Sequence, residues 1–220
     1  LWTKMMAPEG LVIVASGAID EAKWTKDLKS RFKHWKKTAT ILPVPPLVFP
    51  KTSERIFELS QKAQSHIVIG FPGLRISDDR KFALQVMQSV LAGQGGRLFV
   101  ELRDKASLAY SVAPLRMDGL DGGYFGAYIG CSPEKSKKAI EMLQIEFQKL
   151  QDTLVEPEEL ARAQRYLIGR HDIELQRNAN ITSSILFDQI YGIDYRETYR
   201  FAKHIRSVTR EDLRKVAGEL

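Results

Sequence analysis

Two hydrophobic rhythms run along the chain. Short apolar runs closed by glycine, proline or polar clusters have strand spacing: "GLVIVASG" (10–17), "RIFELS" (55–60), "QSHIVIGFPG" (64–73), "LAYSVAPLRM" (108–117) and "GGYFGAYIGC" (122–131). The turn "DGLDG" (118–122) joins the last two and predicts a hairpin. Apolar residues three and four apart predict helices elsewhere. In 21–37, Trp24, Leu28, Phe32 and Trp35 form one stripe, with Asp20 as N-cap. A second helix spans 77–93, capped by Ser77, acidic in its first turn and stopped by Gly93. A short one follows over 97–105, with Leu98, Phe99 and Leu102 on one face. Pro133 after Ser132 opens a helix over 132–151, and Pro157 opens another over 156–178. The last, 209–220, starts at Thr209 with a capping box lacking its Glu, supported by Glu211 and Asp212.

Strands cluster early and helices late. That order predicts an α+β fold, an antiparallel sheet with helices packed on one face, as one domain over 1–220. The stretch 38–53 holds four of the nine prolines and predicts an extended connector.

Composition narrows the classes. With 220 residues, 44% hydrophobic and 27% charged, the chain can bury a core without a staple. Cys131 is the only cysteine, so no internal disulfide forms. No apolar run approaches the length of a membrane span. The net charge of +6 is concentrated in 21–37, as a nucleic-acid or membrane-surface helix would have it. The preferred reading is a surface helix with its apolar face on the core and a solvated basic face, and no nucleic-acid signature accompanies it, so no nucleic-acid partner is expected. The chain begins at Leu1 without a signal-peptide pattern and reads as a piece of a longer protein.

Candidate chemistry is sparse. His34, His66, His171 and His204 are far apart in sequence, and a helical zinc site needs two imidazoles one turn apart. The nearest approach, "HDIEL" at His171 and Glu174, has Leu175 where the second histidine belongs. Cys131 ends a strand as a small hydrophobe. "GQGG" (93–96) follows a helix, not the strand a phosphate loop requires. "NIT" at Asn180 matches a glycosylation sequon. No nucleophile, metal site or acid–base pair emerges; what stands out is a polar site at the glycine hinge in "GGRLFVELRDKASLAY" (95–110).

That run, with "QSHIVIGFPG", "GGYFGAYIGCSPEKSKKAIEMLQIEFQKL" and "EPEELARAQRYLIG", resembles the C-terminal domain of the pitrilysin/insulinase family of zinc metallopeptidases, which includes the processing peptidases. The resemblance covers nearly the whole chain. Its most specific piece is Leu-Arg followed, seven residues after the arginine, by tyrosine. It implies a zinc-bearing N-terminal domain or partner subunit outside this chain, over which this half closes, with zinc held there and none here. It also implies a peptide substrate contacted by Arg103 and Tyr110, with Gly95, Gly96 and Arg97 as weaker contacts. Tyr110 would donate to the oxyanion formed when zinc-bound water attacks. The start, "APEGLVIVASGAID", looks like the family's entry into this domain, and a final strand usually follows a helix like 209–220. Family habit points to the bacterial cell envelope and allows homo- or hetero-oligomers. The alternative function is that of a zinc-less, non-catalytic subunit. From the residues alone, the preferred readings are Arg103 as a surface arginine paired with Asp104 or Glu101 and Tyr110 as a half-buried strand tyrosine.

Overall fold

The computed structural model describes residues 10–35, 47–58 and 62–220. Contacts divide the chain into two compact units: residues 1–46 with 171–200, and residues 47–170 with 201–220. The sequence pattern drew one domain over 1–220, because hydrophobic periodicity locates elements and says little of how they group.

The second unit holds the sheet. Strands β1 (Ser65–Gly73), β2 (Ala109–Met117) and β3 (Gly123–Cys131) pair antiparallel in the order β1-β3-β2. The register sets Ile69 opposite Ala127, Phe71 opposite Phe125 and Val112 opposite Ile129. Alternation then sends one set of side chains to each face. Ile67, Ile69, Phe71, Phe125, Ala127, Ile129 and Cys131 join the core, while His66, Val68 and Tyr124 face outward.

In this unit helices pack on the inner face of the sheet, as the α+β pattern predicts. In chain order, α1 is Glu21–Phe32, α2 Lys81–Leu91, α3 Ser136–Asp152, α4 Pro157–Glu174, α5 Asn178–Ile190, α6 Glu197–Ser207 and α7 Arg210–Glu219. Helix α3 packs on β1 and β3, α2 packs on β2, and α7 packs against both helices. Leu84, Met87, Leu91, Leu143, Leu150, Leu213 and Phe125 are fully buried between them. Each contributes roughly 1.5–3 kcal/mol of hydrophobic stabilisation. Phe147 from α3 meets the Phe71 ring edge-on at 5.1 Å. Helix α7 begins with a complete capping box: Thr209 Oγ1 accepts from Asp212 N, and the Asp212 carboxylate accepts from Thr209 N. The aspartate supplies what the sequence pattern sought in a glutamate.

The first unit contains α1, α5 and parts of α4 and α6. Asp20 caps α1 by accepting from Lys23 N at 3.0 Å. No residue of α1 is fully buried, so its aromatic stripe does not sit in a core as the pattern suggested. Ser16 Oγ lies 2.7 Å from Thr182 Oγ1 and donates to Asn178 O.

Several boundaries differ from the sequence pattern. Residues 10–17 alternate in exposure like a strand, yet they join no ladder among the described residues, and Leu11 and Ile13 are exposed. Periodicity predicts extended backbone but cannot supply the partner strand. The proposed strand 55–60 also has no ladder over 55–58, and Ile56 and Phe57 are exposed; 59 and 60 lie outside the described residues. Helix α2 begins at Lys81, with Ser77 in the turn before it. Pro133–Lys135 is a 3-10 turn leading into α3. Of the 38–53 connector, 47–53 carries no helix or strand, and 38–46 lies outside the described residues.

Candidate functional site

The hinge begins where α2 stops. Gly93 adopts φ +76°, the left-handed conformation that releases a chain from a helix. Gly96 N donates to Gly93 O at 3.0 Å. A Cβ on Gly96 would lie 2.2 Å from Ala92 O, so this position tolerates only glycine. Gly95 is exposed, with Arg162 Nη1 3.1 Å from where its Cβ would stand.

Arg97 is committed to the fold. Its Nε donates to Glu159 Oε1 at 2.8 Å and its Nη2 to Glu159 Oε2 at 2.6 Å. This fork ties the hinge to the first turn of α4, and both side chains are mostly covered. The guanidinium holds the Glu159 carboxyl below the usual carboxylate range.

The next segment is not the regular short helix that the periodicity predicts. After Arg97 and Leu98 it widens into a π-helix, Phe99–Lys105. Ala106 N reaches back five residues to Glu101 O, and Leu108 N reaches Leu102 O. Leu98 and Leu102 stay fully buried, and the turns between them and β2 absorb the extra residue. Ser107 then takes φ +50°, a strained conformation for a residue with a side chain. Lys135 Nζ holds its carbonyl at 2.9 Å. The strand that follows is irregular as well. Ala109 faces Cys131 and Ser111 faces Gly130, so Tyr110 is the extra residue of a β-bulge.

Arg103 and Tyr110 therefore stand on two successive backbone irregularities. Such features cluster at sites where a side chain is aimed at a ligand. Arg103 is exposed, its guanidinium 4.8 Å from the Phe99 ring centroid. It makes no ion pair among the described residues, and Glu101, which the sequence offered as its partner, pairs with Lys105 at 2.8 Å. Tyr110 is 60% exposed, not half-buried. The π-helix and β2 are packed together. The site thus offers a charged donor fork and a phenolic hydroxyl, both open to solvent.

Other sequence candidates have structural work. His171 is half-buried, with Nε2 2.8 Å from Thr198 O, rather than a surface residue. Thr198 is buried and donates through Oγ1 to Asp188 Oδ2. Asn180 Nδ2 donates to Glu174 O. Cys131 is fully buried in the core. Sequence reasoning missed one polar pair: His66 Nδ1 lies 2.8 Å from Tyr128 Oη on the outward sheet face. Only the β1–β3 register brings these residues together, and no spacing rule reveals it.

Among the described residues no three His, Cys, Asp or Glu side chains come together in a way that could hold a metal ion. His171 is already tied to a carbonyl. The residues present do not fit a zinc centre of their own.

The family model described as the peptidase M16 inactive domain matches residues 1–167. An uncharacterised zinc protease of Streptomyces coelicolor is 27% identical over all of this chain, which covers 49% of that protein. The mitochondrial-processing peptidase alpha subunit of Caenorhabditis elegans is 27% identical over 71% of this chain and 32% of its own length. A solved peptidase M16 inactive domain from Pseudomonas fluorescens superposes with a TM-score of 0.82 at 20% identity, over 92% of this chain and 49% of that one. The chain spans about half the length of the Streptomyces coelicolor protein. A glycine hinge, a π-helix and a bulged strand, without a metal site among the described residues, thus lie in a chain that belongs to the peptidase M16 family, in the part described as its inactive domain.

Proposed function

We propose that this chain is the substrate-contacting half of a zinc metalloendopeptidase. It closes over a zinc-bearing half that lies outside these residues. Arg103 gives an extended peptide's carbonyls a fixed pair of donors that cannot lose their charge. Tyr110 donates its hydroxyl to the oxygen on which negative charge gathers as the peptide carbonyl becomes tetrahedral. Carrying both on a separate half means they reach the substrate only on closure, which couples binding to reaction. Gly95 gives the peptide backbone room beside the hinge, while Gly96 and Arg97 act indirectly by holding the hinge's shape.

The observation that carries this reading is the pair of successive backbone irregularities, each presenting one exposed polar side chain without a charged partner. The experiment is a kinetic comparison in the full-length protein. Tyr110→Phe is expected to lower kcat and kcat/KM together by about a hundredfold, with the melting temperature unchanged. Unchanged kinetics would remove Tyr110 from the reaction. A full-length wild-type protein that cleaves no peptide with zinc present would favour the non-catalytic subunit instead.

A further inference from the structure

We propose that the outward face of the sheet carries a specificity subsite, formed by His66 and Tyr128 over Gly130, that takes a carboxylate side chain of the bound peptide. The proposal rests on the reading of this chain as a peptide-contacting half and names what one of its contacts selects. The register sets His66 opposite Gly130 on one side and Ser111 opposite Gly130 on the other. A Cβ on Gly130 would lie 2.9 Å from Tyr128 Oη and 3.5 Å from Ser111 Oγ. The tyrosine hydroxyl therefore hangs over a floor without a side chain. The His66 and Tyr128 rings stack at 5.9 Å, which fixes the pair's orientation. The bulge at Tyr110 immediately precedes Ser111, so this cluster lies at the same end of the sheet as the proposed reaction-site tyrosine.

The hydrogen bond between His66 Nδ1 and Tyr128 Oη leaves a donor pointing outward in either arrangement. If the tyrosine donates, His66 Nε2 carries the remaining proton. If Nδ1 donates, the tyrosine hydrogen is free. Protonation of the imidazole adds a donor and removes none. The pair thus always offers a donor that an acceptor on the peptide can meet. Charge decides which acceptor. No outward position of the three strands is a carboxylate. Arg103, on the π-helix packed against β2, has no ion-pair partner among the described residues. Of the carboxylates on that π-helix, Glu101 is taken by Lys105 and Asp104 remains. A cationic peptide side chain would meet donors there, whereas a carboxylate accepts from them and meets no carboxylate on the three strands.

The test scans glutamate against glutamine along an extended peptide, using full-length protein. Cleavage is the readout where it occurs, and fluorescence anisotropy of the labelled peptides is the readout otherwise. One position is expected to favour glutamate by about tenfold, the effect of a hydrogen bond to a charged group. His66→Ala and Tyr128→Phe should each bring that ratio close to one. Tyr110→Phe should weaken cleavage of both peptides alike, so a failure of the reaction-site reading would show separately. Equal behaviour of the two peptides at every position, or a preference that survives both His66→Ala and Tyr128→Phe, overturns the subsite.

Discussion

Arg97→Met separates a residue that builds the site from one that touches substrate. The wild-type guanidinium makes two charge-assisted hydrogen bonds to Glu159, at 2.8 and 2.6 Å. The side chains are 15% and 23% exposed. Each such bond is worth about 1.5–3 kcal/mol when its partner is left stranded in the interior. Here the loss is smaller, because Glu159 keeps a bond from Glu156 N at 3.2 Å and reaches some water. The expected cost is about 2 kcal/mol. For a chain of this size that lowers the melting temperature by about 6 °C. Thermal and urea denaturation of the purified chain measure it, and a double-mutant cycle with Glu159→Gln isolates the pair. The pH dependence has a definite sign. The Glu159 carboxyl is held below its ordinary value, first by the hydrogen bond from Arg97. A depressed carboxylate contributes stability above its unfolded pKa, about 4.3, and loses it as pH falls through the folded value. The difference between wild type and Arg97→Met should therefore be full at neutral pH and shrink below about pH 4. A variant that melts with wild type yet binds peptide poorly would refute this reasoning and return Arg97 to the substrate.

Gly96→Ala should destabilise by about 3 kcal/mol, seen as an earlier urea midpoint, because its Cβ would collide with the Ala92 backbone. Thr209→Ala should lower stability by about 1 kcal/mol by removing the cap of α7, and Thr209→Ser should restore most of it.

The α+β architecture was legible wherever local pattern and burial agree. β1 alternates cleanly because one of its faces packs on the core, and Gly93 and Pro157 punctuate as their backbone chemistry dictates. The failures share a cause. The runs at 10–17 and 55–58 carry strand periodicity, but a strand exists only with a partner. Helix α5 escaped because it has no strong apolar stripe and buries no residue fully, whereas α6 carries a stripe with Ile205 fully buried that the sequence reading passed over. At the site, the spacing from Arg103 to Tyr110 was visible through resemblance, but its physical basis was not. A π-helix and a bulge each add one residue to a regular pattern, and the periodicity of Leu98, Phe99 and Leu102 fits an ordinary helix equally well. The Arg97–Glu159 and His66–Tyr128 pairs each join residues about sixty positions apart, beyond any local signal.

The extra residue in the π-helix is itself testable. Between the buried Leu102 and the strained Ser107, the backbone accommodates one residue more than an α-helix would, with Ala106 N bonded to Glu101 O. Asp104 is exposed and makes no ion pair among the described residues, so removing it takes away length without touching the core. The deletion should let the segment close into ordinary four-residue hydrogen bonds while Leu98 and Leu102 stay buried. Relief of an unfavourable backbone then offsets the lost turn geometry, and stability should stay within about 1 kcal/mol of wild type. What changes is the presentation of Arg103, since a tighter helix turns it relative to β2. If the full-length protein cleaves peptides as proposed, the deletion should cut kcat/KM at least tenfold, because a misplaced donor fork forfeits its geometry. A deletion that unfolds the chain would mean the π-helix serves packing. One that folds and cleaves like wild type would mean that Arg103 needs no particular presentation, and the link drawn here between backbone irregularity and substrate contact would not stand.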